Sequence, residues 1–131
     1  MQLVPETAEA LGIENYKDPA QNIKGGILML NWLNERLIES VPDSVQRVKF
    51  VLAAYNVGLG HVKDAQRLAK KYGKNSQVWD KNVDYFLLHK SSEKNYKHPV
   101  VRWGYCRGEQ PYNYVNRVVH NYMHYKNVIP E

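Results

Sequence analysis

The sequence has 131 residues, which is enough for one domain with a single hydrophobic core. Its apolar content of 44% and charged content of 24% are ordinary for a globular protein, and its one cysteine excludes a disulfide framework and a cysteine-based zinc site. The net charge of +5 favours an anionic partner, but the basic residues are dispersed along the chain rather than clustered in one segment.

Two helices are predicted near the start of the chain. A short one is expected over residues 5–11, closed by Gly12. A longer one begins after Asp18, a candidate N-cap, with Pro19 at the first helical position. The pair Gly25-Gly26 inside this longer helix indicates that another backbone packs closely there. Its apolar residues recur at helical spacing: Ile23, Ile27, Leu30, Leu33 and Leu37.

Two further helices are separated by a glycine-rich turn. The third is predicted to begin at Pro42-Asp43-Ser44 and to end at residues 58–60, Gly-Leu-Gly. The fourth extends from His61 to Tyr72 and ends at Gly73. The residues predicted to be buried are Val48, Val51, Leu52 and Tyr55 on the third helix, and Val62, Ala65, Leu68 and Ala69 on the fourth.

The C-terminal part continues the helical pattern. A fifth helix is predicted over residues 78–88, a polar loop over residues 91–99, and a long terminal helix over residues 111–125. No segment alternates with period two over the length of a strand, and the most apolar stretch, residues 27–33, is far too short to cross a membrane. The sequence therefore predicts an all-α fold in which residues 1–131 form a single domain.

Three stretches have residue patterns that are more specific than helix packing alone requires. They are residues 1–8, residues 53–58, which read Ala-Ala-Tyr-Asn-Val-Gly, and residues 105–115. In the second stretch, Tyr55 and Asn56 would project from a helix end, where polar side chains can reach a cleft. Each stretch also has a purely structural interpretation, as a helix start, a helix end and a loop entering a helix.

Taken in this order, the three stretches resemble the lytic transglycosylase (SLT) family of lysozyme-like domains. The family carries Gly-Leu-Met-Gln-x-x-Pro-x-Thr-Ala, then Ala-Tyr-Asn-x-Gly, then a Tyr-Val pair on a helix near the end. The matching residues here are Met1-Gln2, Pro5, Thr7-Ala8, Ala54-Tyr55-Asn56-Val57-Gly58 and Tyr114-Val115. His61, Asp64-Ala65 and the run Gly104-Tyr105-Cys106-Arg107-Gly108 resemble a membrane-bound subfamily more narrowly.

The resemblance implies a goose-type, lysozyme-like helical fold and a peptidoglycan-cleaving activity. In such enzymes a single glutamate protonates the oxygen between N-acetylmuramic acid and N-acetylglucosamine. It then acts as base while the muramyl 6-hydroxyl closes onto the anomeric carbon, which leaves a 1,6-anhydro end. No second carboxylate is needed, because the nucleophile belongs to the sugar, and no cofactor is expected. The implied partner is the peptidoglycan glycan strand.

The resemblance also assigns residues and a cellular setting. Gln2, Tyr55, Asn56 and Tyr114 are expected to line the substrate cleft. Two departures from the family pattern are Gln110, where Glu is common, and Val4, where Met is common. In the membrane-bound subfamily this domain is a C-terminal module that follows a solute-binding-like regulatory module, so a periplasmic location attached to the outer membrane is expected.

The family's glutamate lies in a Glu-Ser pair upstream of Gly-Leu-Met-Gln, and this sequence begins at the Met of that motif. The expectation is therefore a domain truncated at its N-terminus, with no catalytic residue downstream of Met1 and no activity by itself. Apolar surface uncovered by such a truncation would favour self-association.

Two other functions compete with this interpretation. A non-catalytic peptidoglycan-binding or scaffolding module would keep the cleft without the chemistry. A basic helical nucleic-acid binder is disfavoured, because no clustered basic face or recognition helix is present. His120 and His124 have the spacing of a metal-binding pair, but Asn121 stands where a zinc protease needs Glu, so a surface histidine pair is favoured and no metal is expected.

Overall fold

A computed structural model describes residues 19–128 of the chain. Over that range it contains six α-helices and no strand, which confirms the all-α prediction. The short helix predicted over residues 5–11, Gly12 and the N-cap Asp18 lie outside the described residues. The helices are α1 Pro19–Leu37, α2 Ser44–Val57, α3 Leu59–Lys71, α4 Asp84–Leu88, α5 Glu93–Tyr96 and α6 Glu109–Val128.

Helix α1 buries only part of the stripe that the sequence predicts. Leu33 and Leu37 are fully buried, whereas Ile23 and Ile27 are 58% and 51% exposed. The prediction of one continuous apolar face is therefore wrong for the first half of the helix within the described residues. Gly25 and Gly26 are both buried, and the close approach of another backbone that this pair indicates stays a prediction.

Helix α2 begins where the sequence predicts. The Asp43 carboxylate accepts hydrogen bonds from the backbone N–H groups of Val45 and Gln46 at 2.8 and 3.2 Å, which satisfies two N–H groups that have no partner within the helix. The predicted buried face is wrong in part, since Val48 is 54% exposed while Phe50 is fully buried.

The reason for the shifted face is that α2 is the central helix. It packs against α1, α3 and α6, so its buried residues are not confined to one stripe. Even Arg47 is buried on it, because its guanidinium donates to the backbone oxygens of Val41 and Pro42, both at 2.9 Å, and to the Asn34 side chain.

A single glycine joins α2 to α3. Gly58 has φ of 104°, a conformation that strains any residue with a Cβ, so the chain reverses within one residue. Helix α3 then begins at Leu59, two positions before the predicted His61. Its predicted stripe is confirmed, since Val62, Ala65, Leu68 and Ala69 are all fully buried.

The predicted helix over residues 78–88 is wrong in its first half. Residues Trp79–Val83 form an irregular turn with Lys81 at φ of 63°, and only Asp84–Leu88 is helical. A tertiary contact outweighs local helix propensity here: the buried Trp79 ring packs edge-on against Phe50, with centroids 5.4 Å apart, and its backbone N–H donates to the Gln46 side chain.

Two further differences concern the C-terminal part. The segment predicted as a loop over residues 91–99 contains the short helix α5. Helix α6 begins at Glu109, before the predicted Pro111, and extends to Val128. Within residues 19–128, no helix combines the length and apolar character that a membrane span requires.

Candidate functional site

The end of α2 and the first turns of α6 bring two of the predicted cleft residues together. Tyr55 lies in the last turn of α2 and Tyr114 in the second turn of α6, and both pack against the hydrophobic core while remaining partly exposed. Burial raises the pKa of Tyr55, and the neighbouring Tyr114 raises it further. The Tyr55 phenol therefore stays protonated at neutral pH and can donate a hydrogen bond.

The other predicted cleft residues lie beside this pair or outside the described range. Asn56 follows Tyr55 on α2 and is exposed, so its amide can both donate and accept hydrogen bonds. Gln2 lies outside the described residues, and its role stays a prediction. Gln110, the departure from the family pattern, is exposed in the first turn of α6.

The start of α6 is fixed by a close backbone approach. A Cβ at Gly108 would lie 1.9 Å from the carbonyl oxygen of Leu87 at the end of α4. Only glycine lets the two segments pass so closely. Gly108, which the sequence indicates only through its resemblance, therefore has a structural role: it sets the point from which α6 carries Tyr114 to Tyr55.

A buried ionic cluster on α3 is the main feature that sequence reasoning missed. The Asp64 carboxylate is fully buried and lies 2.7 Å from Nζ of Lys90, itself fully buried, and 2.6 Å from Nη2 of Arg67. It also accepts hydrogen bonds from the backbone N–H groups of Arg102 and Trp103, both at 2.8 Å. Asp64, Arg67 and Lys90 are here called the Asp64 cluster.

The contacts of Asp64 decide its chemical role. Burial alone would raise the pKa of this carboxyl, but the hydrogen bonds from Arg102, Lys90, Arg67 and Trp103 together hold its pKa below the ordinary value. A general acid needs the opposite shift, together with access to the substrate. Asp64 is therefore an anchor for the segment around residues 100–103 and not an acid catalyst.

His61 extends the cluster along α3. Its Nδ1 lies 2.5 Å from Nζ of Lys90, where the unprotonated Nδ1 of a neutral imidazole accepts a hydrogen bond from the ammonium group. Burial lowers the pKa of His61 and Lys90 lowers it further, while the more weakly acting Asp64 raises it. The spacing of Asp64 and Arg67 at i and i+3 was the one sequence signal for this cluster; nothing local identifies Lys90 as its partner.

Two cavities in the described part of the chain lie away from the tyrosine pair. One, of about 260 Å³, is lined by Ser40, Lys63, Gln66, Arg67, Lys70 and Ser76. The other, of about 420 Å³, is lined by Leu88, His89, Ser91, Tyr105, Arg107, Gly108 and Glu109. Neither is lined by Tyr55 or Tyr114. The described residues contain no group of three or more His, Cys, Asp or Glu side chains that could hold a metal ion.

Comparison with protein families gives one match. The family described as the transglycosylase SLT domain matches residues 1–78. This range contains the first two of the three motifs on which the sequence resemblance rests, and it extends from the start of the chain to the turn before Trp79.

Three similar proteins are each named membrane-bound lytic murein transglycosylase F. Those of Shewanella halifaxensis (strain HAW-EB4) and Aeromonas hydrophila subsp. hydrophila are 46% and 42% identical over 118 residues, 90% of this chain. That of Yersinia pestis (strain Pestoides F) is 40% identical over 119 residues. The chain spans 24% of the length of the Shewanella and Yersinia proteins and 23% of the Aeromonas protein. These matches confirm the narrower resemblance.

Proposed function

This chain belongs to the transglycosylase SLT domain family, and on that premise we propose that it is the catalytic-type domain of a peptidoglycan lytic transglycosylase. The proposed reaction cleaves the β-1,4 bond between N-acetylmuramic acid and N-acetylglucosamine and forms a 1,6-anhydromuramyl end. The observation that carries the proposal is the pairing of Tyr55 and Tyr114 across α2 and α6, within the two motifs that the family resemblance marks as cleft.

The reaction needs one carboxyl group in two roles. As acid it gives its proton to the glycosidic oxygen as the bond to the muramyl anomeric carbon breaks. As carboxylate it then takes the proton of the muramyl 6-hydroxyl, whose oxygen bonds to the same carbon. Protons and atoms balance without water, so the product is an intramolecular acetal rather than a reducing end.

The partners of this carboxyl group follow from the chemistry of the two tyrosines. A protonated Tyr55 phenol would donate a hydrogen bond to the carboxylate and hold it toward the glycosidic oxygen, a bond that its raised pKa keeps available. Tyr114 would line the opposite wall of the cleft. Asn56 and Gln2 would contact the polar substituents of the sugars, as the family resemblance implies.

We further propose that the acid–base carboxyl lies outside residues 19–128. Asp64 is buried and fully hydrogen-bonded, so it cannot reach a substrate. A solvated carboxyl lacks the enclosed environment in which a general acid works. The other carboxyl side chains of this range are exposed or partly exposed: Glu35, Glu39, Asp43, Asp80, Asp84, Glu93 and Glu109. The resemblance assigns the role to a glutamate in the Glu-Ser pair that precedes the Met-Gln motif in the family.

The proposed setting rests on the names of the similar proteins and on the family resemblance. A membrane-bound murein transglycosylase acts on the cell wall, so we propose a periplasmic protein. Attachment to the outer membrane and a solute-binding-like module preceding this domain are proposed from the resemblance alone. Glycan strands are the proposed macromolecular partner. Self-association through the exposed apolar residues Ile23 and Ile27 of α1, and Ile38 directly after it, remains a prediction that light scattering at increasing concentration can check.

The proposal can be tested by digesting purified sacculi with this chain preceded by the family's Glu-Ser segment. That protein should release soluble muropeptides, whereas the same protein with the segment's Glu changed to Gln should release none. Tyr55→Phe should lower kcat/KM roughly 10- to 100-fold, the effect of about 1.5–3 kcal/mol for a hydrogen bond to a charged group. Tyr85→Phe, at an exposed position on α4, is the matched control and should match wild type.

Two results would contradict the enzymatic proposal. Sacculi that stay intact with the correctly folded Glu-bearing protein would leave the non-catalytic peptidoglycan-binding module as the better description, provided that the protein still sediments with sacculi. Equal activities for Tyr55→Phe and Tyr85→Phe would remove Tyr55 from the mechanism and leave the family assignment unchanged.

A further inference from the structure

An exposed tryptophan is held in a fixed position beside the candidate cleft. Trp103 is 64% exposed, although large apolar side chains are ordinarily buried. Its backbone N–H donates to Oδ2 of Asp64 at 2.8 Å, and Asp64 is itself fully buried and paired with Lys90. The segment that carries the indole is therefore tied to the core of the protein by a charged, buried anchor.

The indole also has a defined orientation. A Cβ built at Gly60 would lie 2.5–2.6 Å from Cε2, Cδ2 and Nε1 of Trp103, three atoms of the five-membered ring. The Cβ position is about equally far from Cδ2, which the two rings share, and from Nε1, which lies on the outer edge. Gly60 therefore faces the flat side of the indole and not its edge. One face of the indole therefore packs against Gly60. The rest of the ring surface is the part that is exposed to solvent.

The position of Gly60 places this ring next to the proposed cleft. Gly60 lies in the first turn of α3, and α3 continues from the last turn of α2 through Gly58 alone. That last turn carries Tyr55 and Asn56. The indole therefore lies at the same α2–α3 junction as two predicted substrate contacts, and neither Tyr55 nor Asn56 is needed to hold it there.

We propose that Trp103 is a saccharide platform, on which one pyranose ring of a glycan strand stacks against the open face of the indole. This inference rests on the proposed function, which supplies the glycan as the ligand class. An indole presents a flat apolar face to the C–H groups of a sugar and a polar N–H at its edge. Because Asp64 and Gly60 fix it before binding, little side-chain entropy is lost when the sugar docks.

The experiment is a titration of this chain with chitotetraose, a β-1,4-linked tetramer of N-acetylglucosamine, followed by calorimetry. Trp103→Ala should weaken binding roughly tenfold, since a stacked ring contributes on the order of one factor of ten in affinity. Trp103→Tyr should restore most of the affinity, which a merely structural role for the indole would not require. Trp32→Ala, at a partly exposed tryptophan on α1, is the matched control and should bind like wild type.

A second measurement does not depend on the folding of the alanine variant. With 5-fluorotryptophan incorporated, the chain gives one fluorine resonance for each of its three tryptophans. The resonance that is missing from Trp103→Tyr should shift on addition of chitotetraose, while that of the buried Trp79 should stay in place.

The outcomes separate this inference from the function on which it rests. If wild type binds chitotetraose, but Trp103→Ala binds equally well and the Trp103 resonance does not move, the platform is refuted and the proposed function is untouched. If the folded wild-type chain binds neither chitotetraose nor sacculi, both are refuted. Loss of binding in Trp103→Ala with recovery in Trp103→Tyr supports the platform.

Discussion

At the scale of single residues, the contact between His61 and Lys90 gives folding stability a defined pH dependence. The pKa of His61 in the folded protein lies below its ordinary value of 6.5, because burial and the Lys90 ammonium disfavour the imidazolium. The unfolded chain therefore binds more protons than the folded one just below pH 6.5. The contribution of neutral His61 to the free energy of unfolding is complete above pH 6.5, and it is lost progressively as the pH falls below that value.

The prediction is that the denaturation midpoint of wild type falls between pH 6.5 and pH 5, and that His61→Gln removes most of this slope. Glutamine can accept the hydrogen bond from Lys90 but does not titrate. Asp64 does not interfere in this range, because its lowered pKa moves its own loss of stability below the ordinary value of 3.8. Identical slopes for the two proteins, in denaturant titrations at each pH, would refute this role for His61.

Two glycines should respond differently to a methyl group. At Gly108 an added Cβ meets the backbone carbonyl of Leu87, which cannot move without displacing α4, whereas at Gly60 it meets the indole of Trp103, a side chain that the methyl group can displace from its packed position without moving the backbone. Overpacking costs about 1–3 kcal/mol. We expect Gly108→Ala to lie at or above the upper end of that range in urea denaturation, and Gly60→Ala to lie near the lower end. The reverse order would contradict the packing described for the two segments.

At the scale of elements, local signals predicted the start of α2 and the ends of α2 and α3. Asp43 before α2, Gly58 after it and Gly73 after α3 each act through the backbone of one turn, so their effect is visible in the sequence. The kinked turn over Trp79–Val83 depends instead on the packing of Trp79 against Phe50, a residue 29 positions earlier (79 minus 50). No window around Trp79 contains that information.

The N-cap of α2 can be tested directly, because α2 carries Tyr55 and Asn56 at its other end. Asp43→Ala should lower the free energy of unfolding by about 1 kcal/mol, since the N–H groups of Val45 and Gln46 lose their acceptor. Asp43→Asn should cost much less, because the amide oxygen can accept the same hydrogen bonds. Ser44→Ala is the control. A loss of stability as large in Asp43→Asn as in Asp43→Ala would show that charge, and not capping, is responsible.

At the scale of the whole molecule, the Asp64 cluster joins α3, Lys90 and the segment before α6 around one buried carboxylate. The sequence could predict the helices that form the core, because apolar periodicity is a local property. It could not predict this cluster, because Asp64, Lys90 and Trp103 meet only in the folded chain. The same limit applies to the cleft: the family motifs marked Tyr55 and Tyr114, but not the indole of Trp103 that packs on Gly60.

Breaking the cluster should destabilise the whole domain. Asp64→Ala leaves the Lys90 ammonium buried without its counter-charge, a change that costs about 3–5 kcal/mol. Replacing Lys90 by Met in the same chain removes the uncompensated charge, so the double variant should be more stable than Asp64→Ala alone in thermal denaturation. A double variant less stable than Asp64→Ala would show that Lys90 contributes through contacts other than this pair.

The measurement that tests the central claim most directly is the chemical structure of the glycan ends that the domain produces. Sacculi digested by this chain preceded by the family's Glu-Ser segment are separated by chromatography, and the new ends are identified by mass spectrometry. A lytic transglycosylase predicts 1,6-anhydromuramyl ends, with none when the segment's Glu is changed to Gln. Reducing muramyl ends, which mark hydrolysis by water, or no new ends from the folded Glu-bearing protein would contradict the account.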